Sequence, residues 1–117
     1  MDDAPRTPVV LARRVREGRA ELDLLVPADL FWFLGHFEAF PILPGVVQIE
    51  WAIAFARECL GLDLVAAQRF QVKFASPIGP GDTLVLALRH QREDGRLSFE
   101  YRRDGKACST GQVTVAP

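Results

Sequence analysis

The chain has 117 residues, which is enough for one domain with a modest hydrophobic core. It carries 14 basic and 15 acidic residues, and the resulting net charge of −1 gives no indication of a nucleic-acid-binding protein. Met1 to Thr7 is polar and lacks the apolar segment of a secretory signal, and no run is long enough to span a bilayer. We therefore predict a single cytoplasmic domain over residues 1–117, with Cys59 and Cys108 as reduced thiols.

A β-hairpin is predicted at the beginning of the chain. Val9 to Arg16 and Arg19 to Val26 have the alternating composition of strands, and Glu17-Gly18 between them is a turn signal. In the second strand, alternate apolar residues are expected to share one face of the sheet, with the acidic residues between them on the other face.

An aromatic segment follows this hairpin. Pro27 ends the second strand, and Asp29 is placed to cap a short turn of helix over Leu30 to Phe33. Aromatic clusters of this kind are found in cores, and they also line pockets for hydrophobic ligands. The members of the cluster are Phe31, Trp32, Phe33, Phe37 and Phe40.

One long apolar helix is predicted from Val46 to Leu60. Pro44 has the fixed φ that suits a first helical turn, and Gly61 is a plausible stop. The helix is apolar over almost its whole circumference, which is typical of a buried helix or a membrane span. Its length of about fifteen residues is too short for about 30 Å of hydrocarbon, so we expect it to be buried in the domain.

Glu50 interrupts the apolar surface of this helix. On a helical wheel it lies near Val46, Ile53 and Arg57. A lone carboxylate in such a place is most simply explained by exposure to solvent or by pairing with Arg57. A lone histidine such as His36, on the loop before the helix, is likewise more often structural than catalytic.

Four further strands are predicted after the helix. Turn signals containing glycine or proline separate them, and their apolar residues alternate with polar ones. An antiparallel sheet curled around one buried helix accounts for this order of elements, so the predicted class is α+β. The strands are Leu64 to Ala75, Thr83 to Gln91, Arg96 to Arg102 and Lys106 to Val115.

Two ordered blocks of the sequence resemble the signature of the β-hydroxyacyl–acyl carrier protein dehydratases of the FabA/FabZ type. In that family a Gly-His-Phe leads through Pro-x-x-Pro-Gly to an acidic residue five positions past the glycine. The first block here comprises Gly35-His36-Phe37, Pro41 to Val47 and Glu50. The second comprises Val72-Lys73-Phe74, Pro77 and Pro80-Gly81-Asp82-Thr83-Leu84. The resemblance extends from about Leu22 to the end of the chain.

The resemblance implies a hot-dog fold and the dehydration of a 3-hydroxyacyl thioester to the trans-2-enoyl thioester. A neutral His36 would be the general base at the α-carbon, and Glu50 would be the acid for the departing hydroxyl. Burial of Glu50 in the apolar helix face is expected to raise its pKa, as that role requires. The N–H of Gly45 would hold the thioester carbonyl. This chemistry needs no metal and no redox cofactor.

The resemblance also implies a substrate pocket and two kinds of partner. The substrate would be carried on an acidic acyl carrier protein, with Lys73 and Arg69 as candidate contacts. Two copies would form a homodimer with shared active sites, and a higher oligomer or a heterodimer stays open. The pocket would be lined by Phe33, Phe37, Phe40, Leu43 and Val46.

A narrower resemblance concerns the substrate. Asp29 to Phe33 together with Val46-Val47-Gln48 is similar to a compact subgroup associated with aryl-polyene pathways, whose substrate would be a growing aryl-polyene chain. Three alternatives to this dehydratase stay open from the sequence. They are a hot-dog thioesterase, a non-catalytic hot-dog subunit that binds an acyl chain or scaffolds a partner, and hydration of an enoyl-CoA in the reverse direction.

Overall fold

The computed structural model describes residues 4–34, 41–62 and 67–115. These residues form a six-stranded antiparallel sheet, one long helix and one short 3-10 turn over Phe31–Phe33. The helix is α1 (Gly45–Leu60), and the strands are β1 (Val9–Arg16), β2 (Arg19–Leu25), β3 (Ala67–Phe74), β4 (Thr83–Gln91), β5 (Arg96–Arg103) and β6 (Lys106–Val115).

The strand order in the sheet is β1-β2-β4-β5-β6-β3, so β1 and β3 form its two edges. Strands β4, β5 and β6 are joined by tight hairpins, and each pairs antiparallel with the next. The connection from β2 to β3 instead crosses the whole sheet, and α1 is part of that crossing. The helix therefore lies across the face of the sheet that it covers.

The core lies between α1 and this covered face. Alternate residues of the strands point toward the helix and are buried, as the period-2 pattern predicts. Burying each large aliphatic side chain of this kind contributes about 1.5–3 kcal/mol. The largest fully buried side chains of the strands are Leu22, Leu24, Leu84, Leu86, Leu97, Tyr101 and Val113.

The helix begins and ends close to the predicted positions. Pro44 is its N-cap, with extended backbone at φ −60° and ψ 144°, and Gly45 is the first helical residue. Gly61 ends the helix in the left-handed conformation at φ 64°, and its N–H donates to the carbonyl of Arg57 at 3.1 Å. Only one side of α1 is buried, by contrast with the prediction of a helix wrapped all round.

Three strands differ from their predicted bounds. Strand β2 ends at Leu25 because Val26 exchanges backbone hydrogen bonds with the turn at Gly81 and Asp82, each at 2.8 Å, instead of continuing toward β1. Strand β5 continues to Arg103 because a tight Asp104-Gly105 turn, at φ 53° and 77°, lets Arg103 pair with Lys106. Strand β3 ends at Phe74, one residue before the predicted end at Ala75, and the predicted residues before Ala67 lie outside the described part of the chain.

The prediction of a cap by Asp29 is wrong. The 3-10 turn has Leu30 as its N-cap residue, and no side chain caps it. A backbone hydrogen bond instead shapes this segment, from the N–H of Leu30 to the carbonyl of Pro27 at 3.2 Å.

The antiparallel sheet around a single helix is the hot-dog arrangement, which confirms the predicted α+β class. Among the described residues, no helix is both long and apolar enough to cross a membrane. Cys59 and Cys108 are free thiols. A cytoplasmic location stays a prediction.

Candidate active site

The first turns of α1 hold the described part of the predicted site. Gly45 is the first helical residue, and Glu50 follows on the second turn. Leu43 and Phe33, predicted to line the pocket, are buried in the core of this chain. Three further predicted site residues, His36, Phe37 and Phe40, lie outside the described residues.

The start of α1 has backbone donors that find no backbone partner among the described residues. The N–H groups of Val47 and Gln48 both donate to the carbonyl of Pro44, at 3.1 and 3.2 Å. The N–H groups of Gly45 and Val46 precede them and make no backbone hydrogen bond within the described part of the chain. These donors and the helix dipole favour a negatively charged oxygen at this point.

Phe74 packs directly on Gly45. A Cβ atom placed on Gly45 would overlap the ring of Phe74, so any larger residue at position 45 requires the ring to move. Phe74 itself is 53% exposed, at the end of the edge strand β3. Its ring therefore lies beside the first backbone N–H groups of the helix. The sequence block around Val72-Lys73-Phe74 pointed to this segment, but it did not assign Phe74 a role.

Glu50 lies on the exposed side of α1. It shares that side with Val46 and Ala54, which are one turn away in either direction. The prediction that the apolar helix buries Glu50 is wrong for the single chain, because the sheet covers only the opposite side of α1. The residues of the covered side are Val47, Gln48, Trp51, Ala52, Phe55 and Ala56.

The exposed side of α1 meets the edge strand β3 at Gly45. Val46 is 64% exposed and lies next to Gly45, on which the Phe74 ring rests. Phe70 faces the same side of the sheet as Phe74, since their β6 partners Val113 and Ser109 are both buried, and it is also half-exposed. We call the five residues Val46, Glu50, Ala54, Phe70 and Phe74 the open surface. Exposed apolar area of this kind is typical of an interface.

The covered side of α1 contains one polar side chain, Gln48, which is 3% exposed. Its Nε2 donates to the carbonyl of Leu43 at 3.2 Å, and its Oε1 accepts from Ser109 Oγ at 2.7 Å. The Tyr101 hydroxyl donates to the backbone carbonyl of Gln48 at 2.7 Å. Burial raises the pKa of Tyr101, so the phenol stays protonated and remains a donor. The signal in the sequence is a glutamine within an apolar run of the helix, and it does not by itself predict these hydrogen bonds.

The predicted carrier-protein contacts lie on the outer face of the sheet, which points away from α1. Arg69 and Lys73 alternate with Phe70 and Phe74 along β3, so they point away from α1. Lys73 lines a shallow trough of about 750 Å³ on that outer face, remote from Glu50. The trough holds none of the predicted catalytic residues, so we do not assign it to the acyl chain.

Several other basic residues have acidic partners within the chain. Arg13 lies 2.6 Å from Glu58, and Arg103 lies 2.7 Å from Asp82. By contrast, no ion pair of Arg69 or Lys73 is found among the residues that the structure describes. Across the same part of the chain, no three His, Cys, Asp or Glu side chains could hold one metal ion.

Comparison with known proteins agrees with this geometry. Residues 12–112 match the sequence profile of the ApeI-like family, the ApeI dehydratase. The chain is 34% identical over 122 residues to the 3-hydroxyacyl-[acyl-carrier-protein] dehydratase FabZ of Roseiflexus castenholzii, covering 94% of this chain and 78% of the relative. The FabZ of Ehrlichia chaffeensis is 36% identical over 73 residues, and that match covers 54% of this chain and about half, 49%, of the relative.

A solved structure gives the same picture. The dehydratase heterocomplex ApeI:P from Xenorhabdus doucetiae contains a chain that superposes with a TM-score of 0.87 at 31% identity, covering 95% of this chain and 99% of that one. Thioesterase superfamily member 2 from Mus musculus has a TM-score of 0.68 at 14% identity, which is a likeness of fold alone. The chain therefore belongs to the ApeI-like family of hot-dog dehydratases.

Proposed function

We propose that the protein removes water from a 3-hydroxyacyl thioester carried on an acyl carrier protein and releases the trans-2-enoyl thioester. The observation that carries this proposal is the arrangement at the start of α1. Free backbone donors at Gly45 and a carboxyl group at Glu50 stand on one exposed stretch of the helix, five residues apart. One group is suited to a developing enolate oxygen and the other to a leaving hydroxyl.

The proposed reaction assigns one role to each group. His36 takes the proton from the α-carbon, and the electron pair of that C–H bond forms the new double bond. The N–H of Gly45 donates to the thioester oxygen while negative charge builds on it. The C–O bond to the β-hydroxyl breaks, and Glu50 supplies the proton with which this group leaves as water. The proton held on His36 then returns the carboxyl group to its acid form, so the cycle closes without another reactant.

The exposure of the open surface supports the proposal that a second chain completes the site. A water-exposed carboxylate is poorly placed to act as an acid, and a partner over the open surface would exclude water from Glu50. The free edge of β3 can pair with another strand, and Phe70 and Phe74 would be covered by the same contact. We propose a homodimer in which β3 meets its copy and each site combines Glu50 and Gly45 of one chain with His36 of the other.

The proposed substrate class rests on the family. A structural neighbour is the dehydratase heterocomplex ApeI:P, and the sequence is similar to the aryl-polyene subgroup. We propose by analogy that this protein acts on an aryl-polyene or related unsaturated acyl chain. Lys73 and Arg69 are proposed as secondary contacts of the acidic carrier protein, because both are cations without an ion-pair partner among the described side chains. Fatty acyl chains similar in length to the aryl-polyene chain are the alternative substrates.

The function is tested by incubating the purified protein with 3-hydroxyacyl thioesters on carrier protein and on CoA. Dehydration lowers the mass of the acyl group by about 18 units and produces enoyl absorbance, whereas a thioesterase would release free thiol. We expect dehydration that is lost in Glu50→Gln. Absence of any conversion by a folded, assembled protein would overturn the proposal and favour a binding or scaffold role.

A further inference from the structure

We propose that Gln48 is a positioning residue, which sets the rotation and height of α1 so that Gly45 and Glu50 reach the substrate together. This inference rests on the proposed function but concerns the opposite side of the helix. Gln48 is not one of the residues of the open surface. It lies on the covered side, at 3% exposure, between the helix and the sheet.

The polar groups of Gln48 connect four segments of the chain. Its amide nitrogen holds the carbonyl of Leu43, two residues before the helix begins. Its amide oxygen is held by Ser109 of β6, and its backbone carbonyl is held by Tyr101 of β5. Leu43 is fixed a second time, since its N–H donates to the carbonyl of Ile78 at 2.7 Å. The segment that leads into Gly45 is therefore tied to two strands and to the loop before β4.

The geometry of a helix transmits this fixation to the catalytic groups. At about 100° per residue, Gln48 and Glu50 lie about 200° apart around α1. A helix whose Gln48 faces Ser109 must present Glu50 on the open surface. The bond to Leu43 acts on the other catalytic group, because only Pro44 separates that carbonyl from the N–H of Gly45.

An apolar side chain would fill the same space without these bonds. Val47, Trp51, Ala52 and Phe55 pack on the same sheet by apolar contact, and such contact tolerates small sliding and rotation. Hydrogen bonds are directional, so the Gln48 cluster allows fewer positions of the helix. This is the reason to assign the cluster to precision of the site and not to stability alone.

The test compares Gln48→Met, Ser109→Ala and the double variant, with wild type and Ile53→Val as the control on the same helix. Steady-state kinetics with the 3-hydroxyacyl thioester and thermal unfolding are measured for each. We expect kcat to fall roughly 10- to 100-fold in Gln48→Met while KM changes less than about threefold, because a small misplacement affects the reacting atoms most. The double variant should be no slower than Gln48→Met, since both changes remove the same bond.

A purely structural role predicts a different result. The melting temperature would fall while kcat per folded molecule stayed at the wild-type value, and this result would overturn the proposal. If Gln48→Met fails to fold, Ser109→Ala alone decides, because its smaller change leaves the packing of α1 in place. In that case Ser109→Ala must itself lower kcat, and an unchanged kcat would overturn the proposal.

Hydrogen exchange separates this inference from the proposed function. Amides of residues 45–48 are expected to exchange at least tenfold faster in Gln48→Met, with the control variant unchanged. This result would support the positioning role even if wild type dehydrated no thioester, an outcome that would sink the function alone. Unchanged exchange at these amides would overturn the positioning role whatever the activity.

Discussion

The two sides of helix α1 differ in how complete they are. The covered side packs on the sheet through Trp51, Ala52 and Phe55, and its one polar side chain has its hydrogen bonds satisfied by Leu43 and Ser109. The open side presents Val46, Glu50 and Ala54 to water. A single chain thus completes its core on one side of the helix and leaves Glu50, the proposed acid, exposed on the other.

This difference separates the requirements of folding from those of catalysis. Changes of the apolar residues on the covered side should reduce the free energy of unfolding, because they remove buried contacts, whereas Gln48 on that side is proposed to act on turnover as well. Changes on the open side should leave the fold intact and act on turnover. Variants on the two sides of α1 test whether folding and catalysis are divided in this way.

Glu50→Gln is expected to lower kcat/KM by roughly 100- to 10,000-fold, because the amide cannot supply the proton for the leaving hydroxyl. The melting temperature should stay within about 1–2 °C of wild type, since glutamine keeps the size of the side chain and Glu50 is not part of the core of its own chain. Turnover of the 3-hydroxyacyl thioester and thermal unfolding are the two measurements.

The matched control for this change is Glu58→Gln, at another exposed glutamate of the same helix. Its carboxylate pairs with Arg13 on the surface, far from Gly45 in the helix. The control should retain wild-type turnover. Equal activity in Glu50→Gln and Glu58→Gln would remove Glu50 from the reaction.

Gly45→Ala is expected to reduce turnover by roughly 100-fold, because the added methyl displaces the ring of Phe74 and shifts the N–H that should hold the thioester oxygen. Combining it with Phe74→Leu removes the overlap, so part of the lost activity should return. The double-mutant cycle measures this coupling. Strictly additive losses would mean that the Phe74 ring does not set the position of Gly45.

Ionisation of the Tyr101 hydroxyl should lower the free energy of unfolding at alkaline pH. Burial raises the pKa of this phenol above its ordinary value of 10.0, so its contribution is complete below pH 10 and is lost as pH rises beyond it. Tyr101→Phe removes the bond to Gln48, which costs about 1 kcal/mol at neutral pH, and should flatten the stability curve above pH 10. Urea unfolding at several pH values tests this.

Burial also raises the pKa of the Cys108 thiol, so the alkaline comparison needs a Cys108→Ala background. In that background, an alkaline loss of equal size with tyrosine or phenylalanine at position 101 would show that another group is responsible.

The smallest effect concerns the exposed outer face of the sheet. Arg14 holds the pKa of the Asp23 carboxyl below its ordinary value through hydrogen bonds at 2.8 and 3.1 Å. The pair therefore stabilises the fold above about pH 4 and loses this contribution as pH falls through the lowered pKa. Arg14→Gln should slightly reduce the acid dependence of stability, without any change in turnover. A clear loss of activity would contradict the placement of this pair outside the site.

The fold was largely predictable because its signals are local. Alternation predicted Thr83 to Gln91, and the turn signal Asp104-Gly105 predicted the strand from Lys106 to Val115, both at their observed bounds. Gly61 predicted the end of the helix. Strand order was not predictable in the same way, since it depends on contacts between segments far apart in the chain. The end of β2 is an example, because the partner of Val26 is the distant turn at Gly81.

The site was predictable only in part. The sequence motifs led to Gly45 and Glu50, and the structure places both on the first two turns of α1. Periodicity placed Glu50 in an apolar surface but did not reveal that this surface faces out of the chain. The roles of Gln48 and Phe74 depend on which strand lies against the helix, and no local pattern carries that information.

The central claim is that two chains share each site, and mixing two inactive variants tests it most directly. His36→Ala and Glu50→Ala are purified separately, mixed under conditions that exchange subunits, and assayed with the 3-hydroxyacyl thioester. Half of the dimers would be mixed and each would hold one intact site, so about a quarter of wild-type turnover should return. Activity that stays at the sum of the two variants, despite demonstrated exchange, would contradict a site built from two copies of this chain.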